Sequence, residues 1–158
     1  MIKCCSHRDF EVYDEKGKLI AIASSKWVLV SLDKGVIRIP KELEQQYGCV
    51  DKALFDKPLD KIPEPENSVC TFEYNVQRRD LDTNHHVNNT VYLDYAYEIL
   101  PKEVYEKEDF KNVEIMYKHE AKAGDTLLGF YKKLETNENI AVIKNKDTNA
   151  LHSIIKLY

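Results

Sequence analysis

Residues 79–100 read RDLDTNHHVNNTVYLDYAYEIL, and they indicate the fold more directly than any other part of the chain. The second half of this stretch contains one apolar stripe at helical spacing, formed by Val87, Val91, Tyr92, Tyr95, Ala96 and Ile99. This spacing predicts a helix over about residues 88–100. Asn88 or Asn89 is a suitable N-cap, and Pro101 ends the helix.

Strand-like runs lie on both sides of this helix. One run precedes the helix, and four runs follow it: 69–79, 113–121, 126–135, 140–146 and 151–158. Polar turns separate the last four runs. The order β-α-β-β-β-β with one very apolar helix predicts an α+β fold, in which a curved antiparallel sheet wraps around a central helix.

The first third of the chain is also rich in strands. Gly17 supplies the positive φ of a tight hairpin turn over residues 14–18. The apolar run 19–32 predicts a long strand that is covered on much of both faces. Pro40 opens a short helix over residues 41–47, which ends before Gly48.

Residues 50–67 differ from both flanking parts in composition. They contain three of the five prolines among charged residues, with little periodicity. This composition is typical of a solvated linker, which divides the chain at about residue 68.

Composition and charge exclude several classes of protein. A net charge of -4, with no basic stripe, argues against a nucleic-acid binder. No apolar run approaches the roughly 18 residues that a membrane span requires, and the N-terminus lacks the apolar core of a signal peptide. We therefore predict a soluble, cytoplasmic protein. The cysteines have no metal or redox spacing, so we expect free thiols at Cys4, Cys5, Cys49 and Cys70.

The polar segment ahead of the helix contains the candidate chemistry. Asp82, Asn84 and His86 are spaced by two, so an extended backbone would place their side chains on one side. The amides at the following helix N-terminus are suited to binding an oxyanion. This set of groups suits attack on a polarised carbonyl. The alternative is that these are capping and turn residues, with His86 packed under the helix. The residues alone leave both interpretations open.

Other chemistries have less support. His85 and His86 would point apart on an extended segment, and no third ligand lies at a zinc-like spacing. No G-x-S-x-G motif is present, and no cysteine lies near His85 or His86 in the sequence. Glu120 lies at the end of an apolar strand, where a carboxylate is usually only solvated. It takes part in the chemistry only if the sheet brings it back to the helix.

Three separated blocks resemble the acyl-acyl-carrier-protein (acyl-ACP) thioesterases of plants and bacteria. DLDTNHHVNNTVY at residues 80–92, followed by YEILP, resembles their Asp-x-Asn-x-His-Val-Asn-Asn pattern. YKHEAKAGD at residues 117–125 resembles their Tyr-(Lys/Arg)-x-Glu-(Cys/Ala)-x-x-Gly-Asp strand. Residues 8–40 resemble the end of their first hotdog domain, including its tryptophan strand. The blocks occur in the family's order.

The resemblance implies a hotdog fold, with one complete hotdog and one partial one. The expected division is a partial N-terminal hotdog at residues 1–48, a linker at 49–68 and a complete C-terminal hotdog at 69–158. The first strand and central helix of the family's first hotdog have no counterpart ahead of residue 8, so we expect that this domain is truncated.

The resemblance also implies a function, which is hydrolysis of the thioester of fatty acyl-ACP in fatty acid biosynthesis. Asp82, Asn84, His86 and Glu120 occupy the family's catalytic positions, and no cofactor or metal is implied. Asp82 is either a second base or a nucleophile that forms a transient anhydride, and the sequence leaves both roles open. The position after the glutamate is a cysteine in plant relatives, and here it is Ala121. A cysteine nucleophile at that position is therefore excluded.

The implied partner is an acyl carrier protein that carries a fatty acyl chain. We expect a homodimer, because a sheet with an exposed edge needs covering. Two alternatives remain open at this point: a non-catalytic hotdog that binds acyl groups or carrier proteins, and an acyl-CoA thioesterase. A hotdog dehydratase is disfavoured, because the Asp-x-Asn-x-His block with a downstream glutamate matches hydrolases better.

Overall fold

The structure is a computed structural model that describes residues 5–31, 33–48, 53–56 and 59–158. The chain forms two compact units, Met1–Asp60 and Lys61–Tyr158. Cys5 and Cys70 are free thiols, as predicted. Other positions of the sequence predictions lie outside the described residues: Cys4, Leu32, Cys49, Val50 and Pro58.

The first unit contains a three-stranded antiparallel sheet and a short helix. The strands are β1 (Cys5–Tyr13), β2 (Leu19–Ser31) and β3 (Gly35–Ile37), in the order β1-β2-β3, and the helix is α1 (Lys41–Tyr47). The predicted hairpin turn is confirmed, since Gly17 has a φ of 76°. The Oδ1 atom of Asp14 accepts the N–H groups of Lys16 and Lys18, which closes the turn.

Strand β2 is more exposed than its apolar sequence predicts. Ile20 is 59% exposed and Trp27 is 49% exposed, and no residue of β2 is buried. The prediction that both faces are covered is therefore wrong. The physical reason is that α1, the helix of this unit, buries none of its residues and so forms no layer over the sheet.

The second unit contains a five-stranded antiparallel sheet with a helix against it. The strands are β4 (Val69–Asn75), β5 (Val113–Tyr117), β6 (Thr126–Lys133), β7 (Asn139–Asn145) and β8 (Leu151–Leu157), in the order β4-β6-β7-β8-β5. Helix α2 (Val91–Ile99) packs on this sheet, and α3 (Lys102–Lys107) follows. The predicted α+β architecture, a sheet around a central helix, is confirmed.

The apolar stripe of α2 forms the centre of the core. Its buried residues contact apolar side chains of the sheet, including Leu127, Ala141, Ile143, Ile155 and Leu157. Gly129 on β6 lies directly under Ile99, because a Cβ atom at this position would be 2.3 Å from the Cγ1 atom of Ile99. A glycine here lets the helix approach the sheet closely.

The opposite side of the sheet has a second, smaller core. Ile62 lies in the predicted linker, yet it is buried with Ile140, Val142 and Ile154. The predicted linker is therefore not purely solvated, because Ile62 packs on apolar side chains of the sheet. The two units divide between residues 60 and 61, earlier than the predicted residue 68. The three-segment division at 48 and 68 stays a prediction.

Several element ends differ from the predicted ones. β4 stops at Asn75, because a short 3-10 helix (Arg78–Asp80) follows it, and β5 stops at Tyr117. Helix α2 begins at Val91, and Thr90 is its N-cap. The side chain of Asn88 instead accepts hydrogen bonds from the N–H and the hydroxyl of Thr90, so it stabilises the turn before the helix.

No helix among the described residues is long and apolar enough to cross a membrane.

Candidate active site

The segment ahead of α2 is a closed turn. Leu81 and Val87 form an antiparallel bridge, and the Asp82 N–H donates to the carbonyl of His86 at 2.8 Å. His85 has a φ of 63°, which reverses the chain direction. The extended backbone expected for this segment is therefore wrong.

The carboxylate of Asp82 holds this turn together. Its Oδ1 atom accepts the N–H of Asn84 at 2.8 Å and that of His86 at 3.3 Å. Its Oδ2 atom accepts the side-chain amide of Asn84 at 3.4 Å. The Asn84 N–H is the main cause of a pKa for Asp82 below its ordinary value. The turn thus gathers the three predicted residues Asp82, Asn84 and His86 through hydrogen bonds and not through strand alternation.

Glu120 reaches the same place from the loop after β5. Its Oε1 atom lies 3.3 Å from Nε2 of His86 and 3.3 Å from Nζ of Lys122. Two backbone links bring the segments together: a bridge pairs His86 with Lys122, and the Val87 N–H donates to the carbonyl of Ala121 at 2.8 Å. The side chains of His86 and Glu120 are 31% and 55% exposed, so water reaches both.

The loop around Glu120 is fixed from two further directions. His152 on β8 contacts Lys118 and His119, the two residues before Glu120. Its carbonyl accepts the Lys118 N–H at 2.8 Å, and its Nδ1 donates to the carbonyl of His119 at 2.9 Å. On the other side, the Ala121 N–H donates to the hydroxyl of Tyr92 on α2 at 3.2 Å. Sequence reasoning gave no role to His152 and treated Tyr92 only as core, because no local pattern reports such long-range contacts.

A groove of about 460 Å³ opens beside Glu120. Lys118, Lys122, Thr148 and His152 are among the residues that line it. Among the described residues, no group of three or more His, Cys, Asp or Glu side chains is placed to hold a metal ion.

Most of the backbone amides before the helix are already used inside the protein. The N–H groups of Val87 and Asn88 donate to the carbonyls of Ala121 and Asp80, and those of Thr90 and Val91 donate to Asn88. These four amides are therefore not available as oxyanion donors. The expected oxyanion role of the helix N-terminus is wrong for these four groups.

The five-stranded sheet wrapped around α2 defines the second unit as a hotdog domain, the fold class that the sequence predicted. Residues 64–156, more than half of the chain, match the family described as "Acyl-ACP thioesterase C-terminal domain". The chain therefore belongs to the acyl-ACP thioesterase family.

Curated relatives from plants support this membership. The chain is 29% identical to oleoyl-acyl carrier protein thioesterase 2, chloroplastic, of Arabidopsis thaliana, over 91% of this chain and 42% of the relative. It is 29% identical to palmitoyl-acyl carrier protein thioesterase, chloroplastic, of the same plant, over 72% of this chain and 29% of the relative. The chain thus spans less than half the length of these relatives.

Solved structures share the fold. An acyl-ACP thioesterase from Bacteroides thetaiotaomicron matches with a TM-score of 0.84 and 24% identity, over 99% of this chain and 63% of that one. The 12:0-ACP thioesterase from Umbellularia californica matches with a TM-score of 0.82 and 20% identity, over 98% of this chain and 62% of that one. At these identities, the similarity establishes the fold.

Proposed function

We propose that this chain hydrolyses the thioester of fatty acyl-ACP and releases a free fatty acid in fatty acid biosynthesis. The observation that supports this most is the 3.3 Å contact between His86 and Glu120 beside the turn that Asp82 closes. Family membership makes an acyl thioester the expected substrate class. The implied partner is the acyl carrier protein that bears the acyl chain.

In this proposal His86 and Glu120 activate a water molecule. Both side chains are accessible to solvent, and their contact aligns a carboxylate with an imidazole. The pair takes a proton from the water as its oxygen attacks the thioester carbonyl carbon. The resulting tetrahedral intermediate then breaks its C–S bond, and the leaving thiolate receives the proton that the pair took from the water. The products are the fatty acid and the free thiol of the carrier.

Asp82 and Asn84 have supporting roles in this mechanism. The oxygens of Asp82 accept three N–H groups, and its lowered pKa makes it a weak base. We therefore assign Asp82 to holding the turn in its ionised form. The exposed side-chain amide of Asn84 binds the thioester or the attacking water. Ala121 has no thiol, so the chemistry proceeds through carboxylate, imidazole and water.

We also propose that the chain is a cytoplasmic homodimer, with residues 1–48 as a partial hotdog, 49–68 as a linker and 69–158 as the complete hotdog. Large apolar side chains on β2, including Ile20 and Trp27, are exposed in the single chain and favour association. Light scattering at micromolar concentration tests the dimer, and a strictly monomeric, well-behaved species contradicts it.

The enzymatic proposal is tested by thiol release from acyl-ACP and acyl-CoA. We expect turnover with acyl-ACP, and a His86→Ala variant with kcat lower by at least about 10²-fold. Cys70→Ala is a matched control, because this exposed thiol lies on β4, outside the turn and the Glu120 loop, and it should leave the rate unchanged. Circular dichroism checks folding. Normal turnover in His86→Ala contradicts the assignment, and binding of acyl-ACP without hydrolysis supports the non-catalytic alternative.

A further inference from the structure

Tyr92 connects the central helix to the residue that follows Glu120. Its hydroxyl accepts the backbone N–H of Ala121 at 3.2 Å, and both residues are fully or almost fully buried. The carbonyl of the same Ala121 accepts the N–H of Val87, which follows His86. Ala121 is therefore held on one side by the helix and on the other side by the turn that contains His86.

We propose that Tyr92 is a positioning residue of the active site, whose hydroxyl fixes the Ala121 backbone and thereby holds the Glu120 carboxylate against His86. This inference rests on the proposed function, since it names a further residue for the same site. Tyr92 acts through Glu120 and does not itself reach the substrate.

The surroundings of Tyr92 suit this role. Burial raises the pKa of Tyr92 to about 12, so the hydroxyl stays neutral at physiological pH. Its ring is held by an edge-on contact with Tyr117, at 5.6 Å between ring centroids. The hydroxyl of Tyr117 donates in turn to the carbonyl of Asn89 at 2.8 Å. A rigid ring fixes the position of the hydroxyl, and small displacements of a catalytic group are costly.

A Tyr92→Phe variant tests the proposal, because it removes only the hydroxyl. The buried N–H of Ala121 then lacks its acceptor, and the Glu120 loop is free to shift. We expect kcat on acyl-ACP to fall by about 10- to 100-fold, with KM changed by less than about twofold. Tyr95→Phe is the matched control, since Tyr95 is a buried tyrosine on the same helix whose hydroxyl lies near the Asp80 carboxylate and makes no hydrogen bond to Ala121. It should leave kcat unchanged.

A double-mutant cycle separates positioning from general damage to the fold. In a Glu120→Gln background, Tyr92→Phe should cause less than about a twofold further loss, because the carboxylate that it positions is already gone. An equal fractional loss in both backgrounds overturns the proposal. So does a Tyr92→Phe variant with wild-type kcat.

Two structural measurements keep the inference testable even if the wild-type chain does not hydrolyse acyl-ACP, an outcome that contradicts only the proposed function. Hydrogen exchange should become faster at the Ala121 amide in Tyr92→Phe. A crystal structure of the variant should show more than 3.3 Å between Nε2 of His86 and Oε1 of Glu120. Unchanged exchange and an unchanged distance overturn the proposal.

Discussion

Glu120 contacts His86, with 3.3 Å between Oε1 and Nε2, although the two residues belong to loops at opposite ends of the α2–β5 segment. The contact depends on the backbone, because the Val87 N–H donates to the Ala121 carbonyl and His86 pairs with Lys122. The turn that contains His86 and the loop that contains Glu120 are therefore held together by backbone hydrogen bonds.

Replacing Glu120 with glutamine should abolish most activity and leave the fold intact. The change removes the negative charge without changing the size of the side chain, which is 55% exposed. We expect kcat on acyl-ACP to fall by at least about 10²-fold, with an unchanged circular dichroism spectrum. Glu98→Gln, an exposed carboxylate change on α2, is the control and should keep wild-type turnover. A Glu120→Gln variant with more than a tenth of wild-type kcat would argue against a role as base.

The stability that Asp82 provides should depend on pH. Its pKa is below the ordinary value in the folded chain, mainly because it accepts the Asn84 N–H. The contribution is therefore present above the unfolded pKa of about 3.9 and is lost as the pH falls through the lower folded pKa. Urea unfolding should show that Asp82→Asn is less stable than wild type at pH 7.

The same comparison at low pH provides the control for Asp82. Once Asp82 is protonated in both states, wild type and Asp82→Asn should unfold at nearly the same urea concentration. A difference that is equally large at pH 7 and well below pH 3 would mean that the charge on Asp82 does not stabilise the turn.

Gly129→Ala should destabilise the second unit. The added Cβ atom would lie 2.3 Å from Cγ1 of Ile99 and 2.9 Å from Cβ of Phe72, so the helix or the sheet must shift. We expect a loss of about 1–3 kcal/mol in the free energy of unfolding, as for other overpacked cores. Combining the change with Ile99→Ala should give a smaller loss than the sum of the two single changes, because the truncated side chain leaves room. Simple additivity in urea unfolding would show that the two positions do not clash.

Tyr95→Phe should change the stability of the chain by less than about 1 kcal/mol. The hydroxyl of Tyr95 is buried near the Asp80 carboxylate without a well-formed hydrogen bond in the described residues, so the desolvation cost that its removal relieves offsets the lost interaction with Asp80. Tyr92→Phe, in contrast, should lower stability, since it removes the acceptor of the Ala121 N–H. Thermal unfolding of the two variants side by side measures this difference, and an equal loss in both would contradict it.

Local patterns in the sequence predicted the central helix and the five strands of the second unit, but not the short helix α3 or the 3-10 helix at Arg78–Asp80. The apolar spacing of Tyr92, Tyr95 and Ile99 predicted the central helix, and the strand-like runs around it predicted the sheet. Helical and strand periodicities report which face of an element is apolar, and one apolar helix among several strands has few ways to bury its stripe. The candidate residues Asp82, Asn84 and His86 were also recognisable, because they are neighbours in the chain.

Long-range pairing determined the rest. The strand order β4-β6-β7-β8-β5 and the hydrogen bonds of Ala121 place Glu120 beside His86, and no local pattern specifies these contacts. The segment at Asp82 forms a closed turn and not the expected extended strand. The reason is that the Asp82 carboxylate accepts backbone N–H groups, an interaction that side-chain alternation along a strand does not predict. The exposure of β2 likewise depends on whether another layer covers it, which its own apolar sequence does not reveal.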